Sequence, residues 1–399
     1  MRLDPETCIS GVGTLGGFGI GLEALARALE MGEPLSLPVD RSARFHREDG
    51  ARRAALVPQL DLKPYVSPVA ARRMSASSLW AVATAKMALT DAGVGEAILG
   101  DLPLAVDIAN VFGPSRYTEQ LLQQVLQGDP QLASPFLFTD CVANAPAGQV
   151  AIALGARGSN TTWCEREAGQ LLALLASATV ARDGRPRRVL CGVVDEMPPV
   201  VHAILDRFHA LATGDPELPR PFCADRNGFC AGEGATLLLL EPTARAKRPL
   251  ARVLAGGRAF DPSARPIGWG EGDRELAEAI ESSLTAHSIT MSSVDAVICS
   301  ASGSIAGDRL EAQVLKRLFG GTPPPLLVPK AVIGEFGGGV LAAGLLALAG
   351  ASFKRPVGCT VRDERLGLLP HDGFVRARRV LITAFAAGGA AAWTVLGAM

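Results

Sequence analysis

The strongest constraint on the fold is that two distant segments of this chain end in the same way. Residues 232–240 and residues 388–396 each run from a turn rich in Gly and Ala into an apolar strand. Along the whole chain, continuous apolar strands alternate with helical patterns, an order typical of parallel sheets covered by helices on both faces. The pattern predicts an α/β fold of two similar halves. A stretch rich in Pro and basic residues, 242–249, divides them into residues 1–244 and residues 245–399.

A second informative stretch is Gly158 to Leu174, which runs from a Gly-Ser-Asn turn through β-branched and aromatic residues into a leucine-rich helix. A strand that turns sharply into a helix exposes one side chain at the helix N-terminus. The unpaired N–H groups there favour a nucleophile or an anion. The residue at this tip is Glu167, a carboxylate. It either acts as a general base or is a charge neutralised by the helix N-terminus and Lys330, and we favour the structural role.

Composition limits the function. The formal net charge is −1, which favours neither nucleic acid nor an anionic membrane surface as a partner. The charge-free apolar run nearest to a membrane span, residues 337–353, is rich in Gly and Ala and predicts a buried helix instead. The eight cysteines form no CxxC pair, and no secretion signal opens the chain. We therefore expect no metal site, no disulfides and a cytoplasmic protein.

Several motifs resemble those of the β-ketoacyl synthases of fatty acid and type II polyketide assembly, over nearly the full length. The most specific is Arg220-Pro221-Phe222 followed by residues 225–235, Asp-Arg-Asn-Gly-Phe-Cys-Ala-Gly-Glu-Gly-Ala. Residues 300–308 resemble the loop of the first catalytic histidine, and residues 330–335 resemble the Lys-Ser-x-x-Gly-His motif. Residues 384–391 resemble the glycine-rich C-terminal gate. The resemblance implies a thiolase fold, two α/β halves stacked as five layers (αβαβα), working as a dimer.

The family's chemistry needs a cysteine thiolate that takes the acyl chain and two histidines that assist decarboxylation and stabilise the enolate. Carried over by position, the cysteine falls on Glu167, the first histidine on Ser302 and the second on Glu335. The motif lysine is kept as Lys330. The gate positions fall on Phe385, Ala387, Gly388 and Gly389, with Ala387 in place of the family's second phenylalanine. All three reactive groups are replaced, so no catalytic residue is expected.

A degenerate ketosynthase with an intact fold resembles a chain length factor, the inactive subunit that pairs with an active ketosynthase. The resemblance implies that acyl groups arrive on the phosphopantetheine of an acyl carrier protein, with no cofactor held by the chain itself. It also implies that the inactive subunit shapes the partner's acyl tunnel. The candidate tunnel residues, which ordinary interface packing explains equally well, are Phe138, Cys141, Val142, Asn144 and Ala145.

Alternatives remain at this stage. One alternative is an enzyme that reuses the cleft for malonyl decarboxylation, hydrolysis or acyl transfer, with Glu167 or Glu335 as the acid–base group. Another is a homodimeric scaffold or binding protein. Cys164, three residues before Glu167, is either a displaced nucleophile or, as we prefer, a buried small hydrophobe. Glu335 pairs with Lys330 or Arg166, or is solvated.

Overall fold

The computed structural model describes residues 7–95, 103–180 and 188–399. Its strands, numbered in chain order, are β1 Thr7–Gly16, β2 Gly19–Ile20, β3 Leu37–Pro38, β4 Arg53–Ala54, β5 Leu104–Ala109, β6 Asn160–Trp163, β7 Arg188–Asp195, β8 Gly234–Pro242, β9 Ala251–Phe260, β10 Ala296–Ile298, β11 Leu326–Leu327, β12 Ala351–Phe353, β13 Gly373–Val375, β14 Arg379–Phe385 and β15 Ala390–Ala398. Its α-helices are α1 Leu22–Met31, α2 Pro68–Ala71, α3 Ala76–Asp91, α4 Ser115–Gln127, α5 Pro135–Thr139, α6 Ala145–Leu154, α7 Gly169–Val180, α8 Pro199–Arg207, α9 Asp273–Thr285, α10 Ile305–Phe319, α11 Lys330–Ile333 and α12 Val340–Ala349.

The large sheet confirms the predicted duplication. Its order is β11-β10-β14-β15-β9-β1-β8-β7-β5-β6, with β2 paired to β1. Read outward from the centre, β1-β8-β7-β5-β6 and β9-β15-β14-β10-β11 repeat one pattern of two antiparallel pairs followed by two parallel pairs. The halves join where Cys8 lies opposite Arg252 and Ile9 opposite Ala251. The division between residues 244 and 245 stays a prediction.

The expectation of parallel sheets is wrong for the central strands. The link from β14 to β15 is only residues 386–389, and a parallel connection needs a crossover of a dozen or more residues. These two strands are therefore antiparallel, with Arg379 opposite Gly397 and Phe385 opposite Ala391. The strands carry continuous apolar runs because both faces are buried, and that signal does not depend on strand direction.

Three hydrophobic clusters define the layers. One contains α3 and α6 against the first half of the sheet, and another contains α9 and α10 against the second half. The third surrounds α7 and α12 and draws residues from both halves. Leucine and alanine occupy all sides of α7 and α12, as expected of helices with no solvent face. The result is the five-layer thiolase fold, with the N-termini of α7 and α12 in the middle of the molecule.

Two helices end at local turns of the backbone. Helix α8 stops at Arg207, and His209 adopts a left-handed φ of 55° that a helix cannot continue through. The helix predicted over 337–353 occupies only Val340–Ala349, after which Gly350 (φ 97°) turns the chain into β12. Both ends depend on local backbone geometry that the apolar pattern does not record.

Candidate functional site

Glu167 lies where β6 turns into α7. Arg166 has a left-handed φ of 48°, and residues 166–168 form a single 3-10 turn before α7 begins at Gly169. A Cβ on Gly169 would lie 3.2 Å from the Ala109 Cβ, so a small residue lets the helix start close against β5. The turn holds the Glu167 side chain at the N-terminal end of the buried helix, in the interior of the molecule.

Lys330 and Glu335 form a buried ion pair next to this helix end. Lys330 Nζ lies 2.6 Å from Glu335 Oε1, and the two side chains are 2 % and 5 % exposed. The segment carrying Glu335 is pinned by its backbone, because Glu335 N–H donates to the Cys230 carbonyl and its own carbonyl accepts from Gly232 N–H. Of the partners considered from sequence, Glu335 therefore contacts Lys330 rather than Arg166.

An outer cavity of about 400 Å³ ends at Glu167. Its wall is largely apolar and aromatic. Phe336 packs edge-on against Phe112 and Phe229, with ring centroids 5.1 and 6.2 Å apart. The polar groups in the wall besides Glu167 include Arg166 and His209, and both residues are exposed. A cavity of this size and character suits an extended apolar chain.

A small inner chamber of about 20 Å³ lies on the other side of Glu167, between the N-termini of α7 and α12. Its wall includes Gln170, Asp195, Lys330 and Glu335. Burial raises the pKa of the Glu167 carboxyl to about 7, and the negative charge of Glu335 adds to the rise. Burial likewise raises the pKa of Asp195 to about 7, with Glu196 and Glu167 contributing. Glu167 lines both the apolar outer cavity and this polar inner chamber.

Ser302 is held away from both cavities. Its N–H donates to Asp308 Oδ1 at 3.1 Å, and the neighbouring Gly303 N–H donates to the same carboxylate. The carboxylates of Asp308 and Glu311, on α10, accept hydrogen bonds from the backbone N–H groups of residues 300–303. These bonds hold the loop against α10. The walls of the two cavities include Ser304 but not Ser302. The structure therefore unites only Glu167, Glu335 and Lys330 of the four motif positions.

The gate loop (residues 385–389) closes one side of the outer cavity. Phe385 is in the core, 1 % exposed, whereas Ala387 lines the cavity. The Arg166 guanidinium donates to the Ala387 carbonyl at 2.7 Å and ties this loop to the turn that carries Glu167. Gly388 and Gly389 have φ of 100° and 95°, a backbone conformation that residues other than glycine rarely adopt.

The tunnel candidates lie on the surface beside α5 and α6. Phe138 is 67 % exposed and Val142 is 47 % exposed, Asn144 is also exposed, and Cys141 is half-buried. Ala145 is buried at the start of α6. None of these residues lines the outer cavity of its own chain. Their predicted role in a partner's tunnel stays a prediction.

The expectation for Cys164 is wrong in one respect, because its side chain is exposed rather than buried. The residue belongs to the irregular turn after β6, where the chain leaves the sheet, and its Sγ lies 3.9 Å from Asn110 Oδ1. Partial desolvation raises the pKa of this thiol, and the neighbouring carboxylates of Asp195 and Glu165 raise it further. A raised pKa opposes thiolate formation, so Cys164 is not an activated nucleophile.

Sequence reasoning missed several wall residues. Gln170 and Asp195 face the inner chamber, and Trp269 and Ile267 line the outer cavity. A signal existed for Asp195, since it is an acidic residue directly after an apolar strand, Val189 to Val194. For Trp269 and Ile267 the linear pattern offers no such signal, because they belong to an irregular loop between β9 and α9.

Within residues 7–95, 103–180 and 188–399, no group of three or more His, Cys, Asp and Glu side chains is arranged to hold a metal ion. Over the same ranges, none of the helices combines the length and the apolar character that crossing a membrane requires.

The fold defines a protein of the thiolase-fold class. The family models for the N-terminal and C-terminal domains of β-ketoacyl synthases match residues 7–246 and 267–353, so the chain belongs to the β-ketoacyl synthase family. The chain is 26 % identical to the ketoacyl synthase alpha subunit of the tetracenomycin polyketide synthase of Streptomyces glaucescens, over 79 % of this chain and 77 % of that protein. Against the beta subunit of the same synthase the identity is 28 %, over 77 % and 78 %.

A solved structure, the ishigamide ketosynthase/chain length factor, superposes with a TM-score of 0.86 at 25 % identity and covers 98 % of this chain and 99 % of that chain. The near-equal identity to the alpha and beta subunits means that overall similarity does not distinguish between the two kinds of subunit. That distinction depends on the residues of the site.

Proposed function

We propose that this chain is a non-catalytic ketosynthase-like subunit, a chain length factor, that pairs with an active β-ketoacyl synthase and shapes its acyl tunnel. The observation that carries the proposal is the carboxylate of Glu167 at the buried N-terminus of α7. Acylation of a carboxylate would give an anhydride rather than the thioester that condensation transfers.

The surroundings of Glu167 support the same reading. Glu335 is a second buried carboxylate and is already paired with Lys330, and a carboxylate would repel a developing enolate rather than stabilise it. None of the residues lining the two cavities is a cysteine, and the one imidazole among them, His209, is exposed. The site therefore offers neither the thiolate nor the paired imidazoles that condensation requires.

The surface of the N-terminal half supports a macromolecular partner. Residues 121–156 contain only two charged side chains, Asp129 and Asp140, and Asp140 is fully buried. Large apolar side chains are exposed throughout this segment: Leu122, Leu126, Leu132, Phe136, Phe138, Val142 and Ile152. An uncharged apolar surface of this extent marks an interaction site.

Strand β6 indicates what kind of partner fits. Among the described strands it pairs only with β5, at the end of the sheet, so its outer edge presents N–H and C=O groups. Its Asn160 Nδ2 donates to the Ala147 carbonyl of α6, the helix that carries the exposed Ile152. A chain of the same fold can add its own edge strand there, which extends one sheet across two subunits. Phe138, Cys141, Val142 and Asn144 would then face the partner's cavity. In this proposal the acyl chains arrive on the phosphopantetheine of an acyl carrier protein.

A second candidate function is an enzyme that reuses the cleft. The observation that favours it is the pKa of about 7 for Glu167 at the end of an apolar cavity, a value suited to general acid–base catalysis. The purified chain incubated alone with malonyl carrier protein discriminates between the two. Turnover that is lost in Glu167→Ala supports the enzyme, and no turnover supports the non-catalytic subunit.

The decisive experiment is co-expression with a ketosynthase encoded beside this chain, followed by size-exclusion chromatography. A stable one-to-one complex supports the proposal, whereas a homodimer that leaves the ketosynthase free supports a scaffold and contradicts it. Phe138→Asp should abolish the complex, while Phe374→Asp serves as the matched control. Phe374 is 65 % exposed against 67 % for Phe138, but it belongs to β13, in the other half of the chain.

A further inference from the structure

The inner chamber behind Glu167 brings four unsatisfied polar atoms together. Glu167 Oε2, Gln170 Oε1, Asp195 Oδ2 and Lys330 Nζ are all buried without a hydrogen-bond partner, and all four residues line this space of about 20 Å³. Lys330 contacts Glu335 in the ion pair, but an ammonium carries three N–H donors, so further donors remain. Buried polar atoms are nearly always paired, so such a concentration of exceptions indicates a ligand.

The directions of these groups are fixed by the fold. The Oδ1 atom of Asp195 accepts the N–H groups of Val111 and Phe112 at 2.7 and 3.1 Å, which leaves Oδ2 as the free oxygen. Asp195 is fully buried, and Gln170, in the first turn of α7, is 8 % exposed. Neither group can turn outward to reach bulk solvent without leaving its place in the core.

A count of donors and acceptors identifies the ligand. The chamber presents three acceptor oxygens, on Glu167, Gln170 and Asp195, and one donor, the Lys330 ammonium. One water molecule accepts from Lys330 and donates its two hydrogens to two of the oxygens. The third oxygen is satisfied if one carboxyl is protonated. About 20 Å³ is enough for one water. We propose that the inner chamber binds one water molecule together with one proton that Glu167 and Asp195 share.

The charges around the chamber favour proton uptake. Other charged groups act on the pair Glu167 and Asp195. They are Glu335 and Lys330 from the segment around α11, Arg166 from the turn before α7, and Glu196 after β7. The carboxylates Glu167, Asp195, Glu335 and Glu196 outnumber the two cations. The raised pKa of both Glu167 and Asp195 agrees with a retained proton near neutral pH. A metal ion is disfavoured by the lack of a suitable ligand cluster in the described ranges.

The shared proton has a consequence for the outer cavity. Glu167 faces that cavity as well, so protonation presents a neutral acid rather than a charge to whatever lies there. If the proposed function holds, an acyl chain can then lie against Glu167 without burying an anion. The existence of the water and the proton does not depend on that role, because it follows from the chamber alone.

The test is infrared difference spectroscopy of the full chain, titrated from pH 5 to pH 9, together with a crystal structure. We expect protonated-carboxyl absorbance that persists at pH 6, well above the ordinary carboxyl pKa, and that is weaker by one carboxyl in the double variant Glu167→Gln/Asp195→Asn. Burial also raises the pKa of Glu196 and Glu311 to about 7, so these two residues account for absorbance that remains in the variant. Glu165→Gln, a change at an exposed neighbour, should leave the band in place. The crystal structure should show one solvent peak within hydrogen-bonding distance of Gln170, Asp195 and Lys330.

A wild-type titration in which no carboxyl stays protonated above pH 5 overturns the proposal, as does a peak with the shorter contacts of a sodium ion or a collapsed chamber. The wild-type titration and the crystal structure need no variant, so a double variant that fails to fold leaves the test intact. Both measurements use the chain without partner or substrate. Their failure is therefore distinguishable from a failure of the pairing experiment.

Discussion

Replacing Glu167 by Gln should stabilise the folded chain at alkaline pH. The Glu167 carboxyl has a pKa of about 7 in the fold, against 4.5 for the unperturbed group. Between these values the folded chain binds more protons than the unfolded chain, so this group's contribution to stability falls as pH rises through 7. At about 1.4 kcal/mol per pH unit, the full penalty above pH 8 is about 3 kcal/mol. Glutamine keeps the shape of the side chain and removes the charge.

The assay is urea unfolding followed by tryptophan fluorescence at pH 5, 7 and 9. Wild type and Glu167→Gln should have similar stability at pH 5, where the folded wild-type carboxyl is protonated. At pH 9 the variant should be more stable by about 2–3 kcal/mol. The lower figure applies because Glu167 and Asp195 repel each other and titrate as an interacting pair, so the penalty does not belong to Glu167 alone. Glu165→Gln is the control and should shift neither curve, since Glu165 is exposed. A variant that is less stable than wild type at pH 9 would refute this account of the site.

The remaining predictions concern the parts around Glu167. Lys330→Met should destabilise the chain by about 3–5 kcal/mol in urea unfolding, because it leaves Glu335 buried without its cation, and the double variant Lys330→Met/Glu335→Leu should recover most of the loss. Arg166→Ala should change stability by no more than about 1 kcal/mol but speed amide hydrogen exchange in the gate loop, since its bond to Ala387 is lost; unchanged exchange would contradict the proposed link. Gly334→Ala should lower the melting temperature by several degrees, because the position has φ 83° and the added Cβ would lie 2.8 Å from a neighbouring backbone atom.

The resemblance predicts that Glu167, Ser302 and Glu335 stand at the positions of the family's reactive groups, and this prediction needs no structure. The chemistry expected of each residue follows from its side-chain type. The structure shows how differently they are used. Glu335 is neutralised by Lys330 at 2.6 Å, whereas Ser302 donates its backbone N–H to Asp308 and lines neither cavity. The spacing of residues along the chain does not predict which residues a side chain contacts in the folded structure.

The sequence also could not show which apolar residues are exposed and which are buried. Phe138 and Val142 appear in the sequence like the residues of any apolar segment, and only the fold shows that both are exposed. The opposite holds for Cys164, which follows a strand in the sequence and lies on the surface in the structure. Whether an apolar residue is core or interface depends on which elements cover it.

The sequence by itself determined the duplicated α/β fold and the residue types at the motif positions, Glu167, Ser302 and Glu335, because apolar periodicity and residue type are local properties. Tertiary structure alone decided strand direction in the central sheet, the outer cavity and the inner chamber. Gln170 and Asp195 lie on different elements and meet Lys330 only where the N-termini of α7 and α12 converge. Proton sharing and buried water depend on distances between segments far apart in the chain, and those distances exist only in the folded molecule.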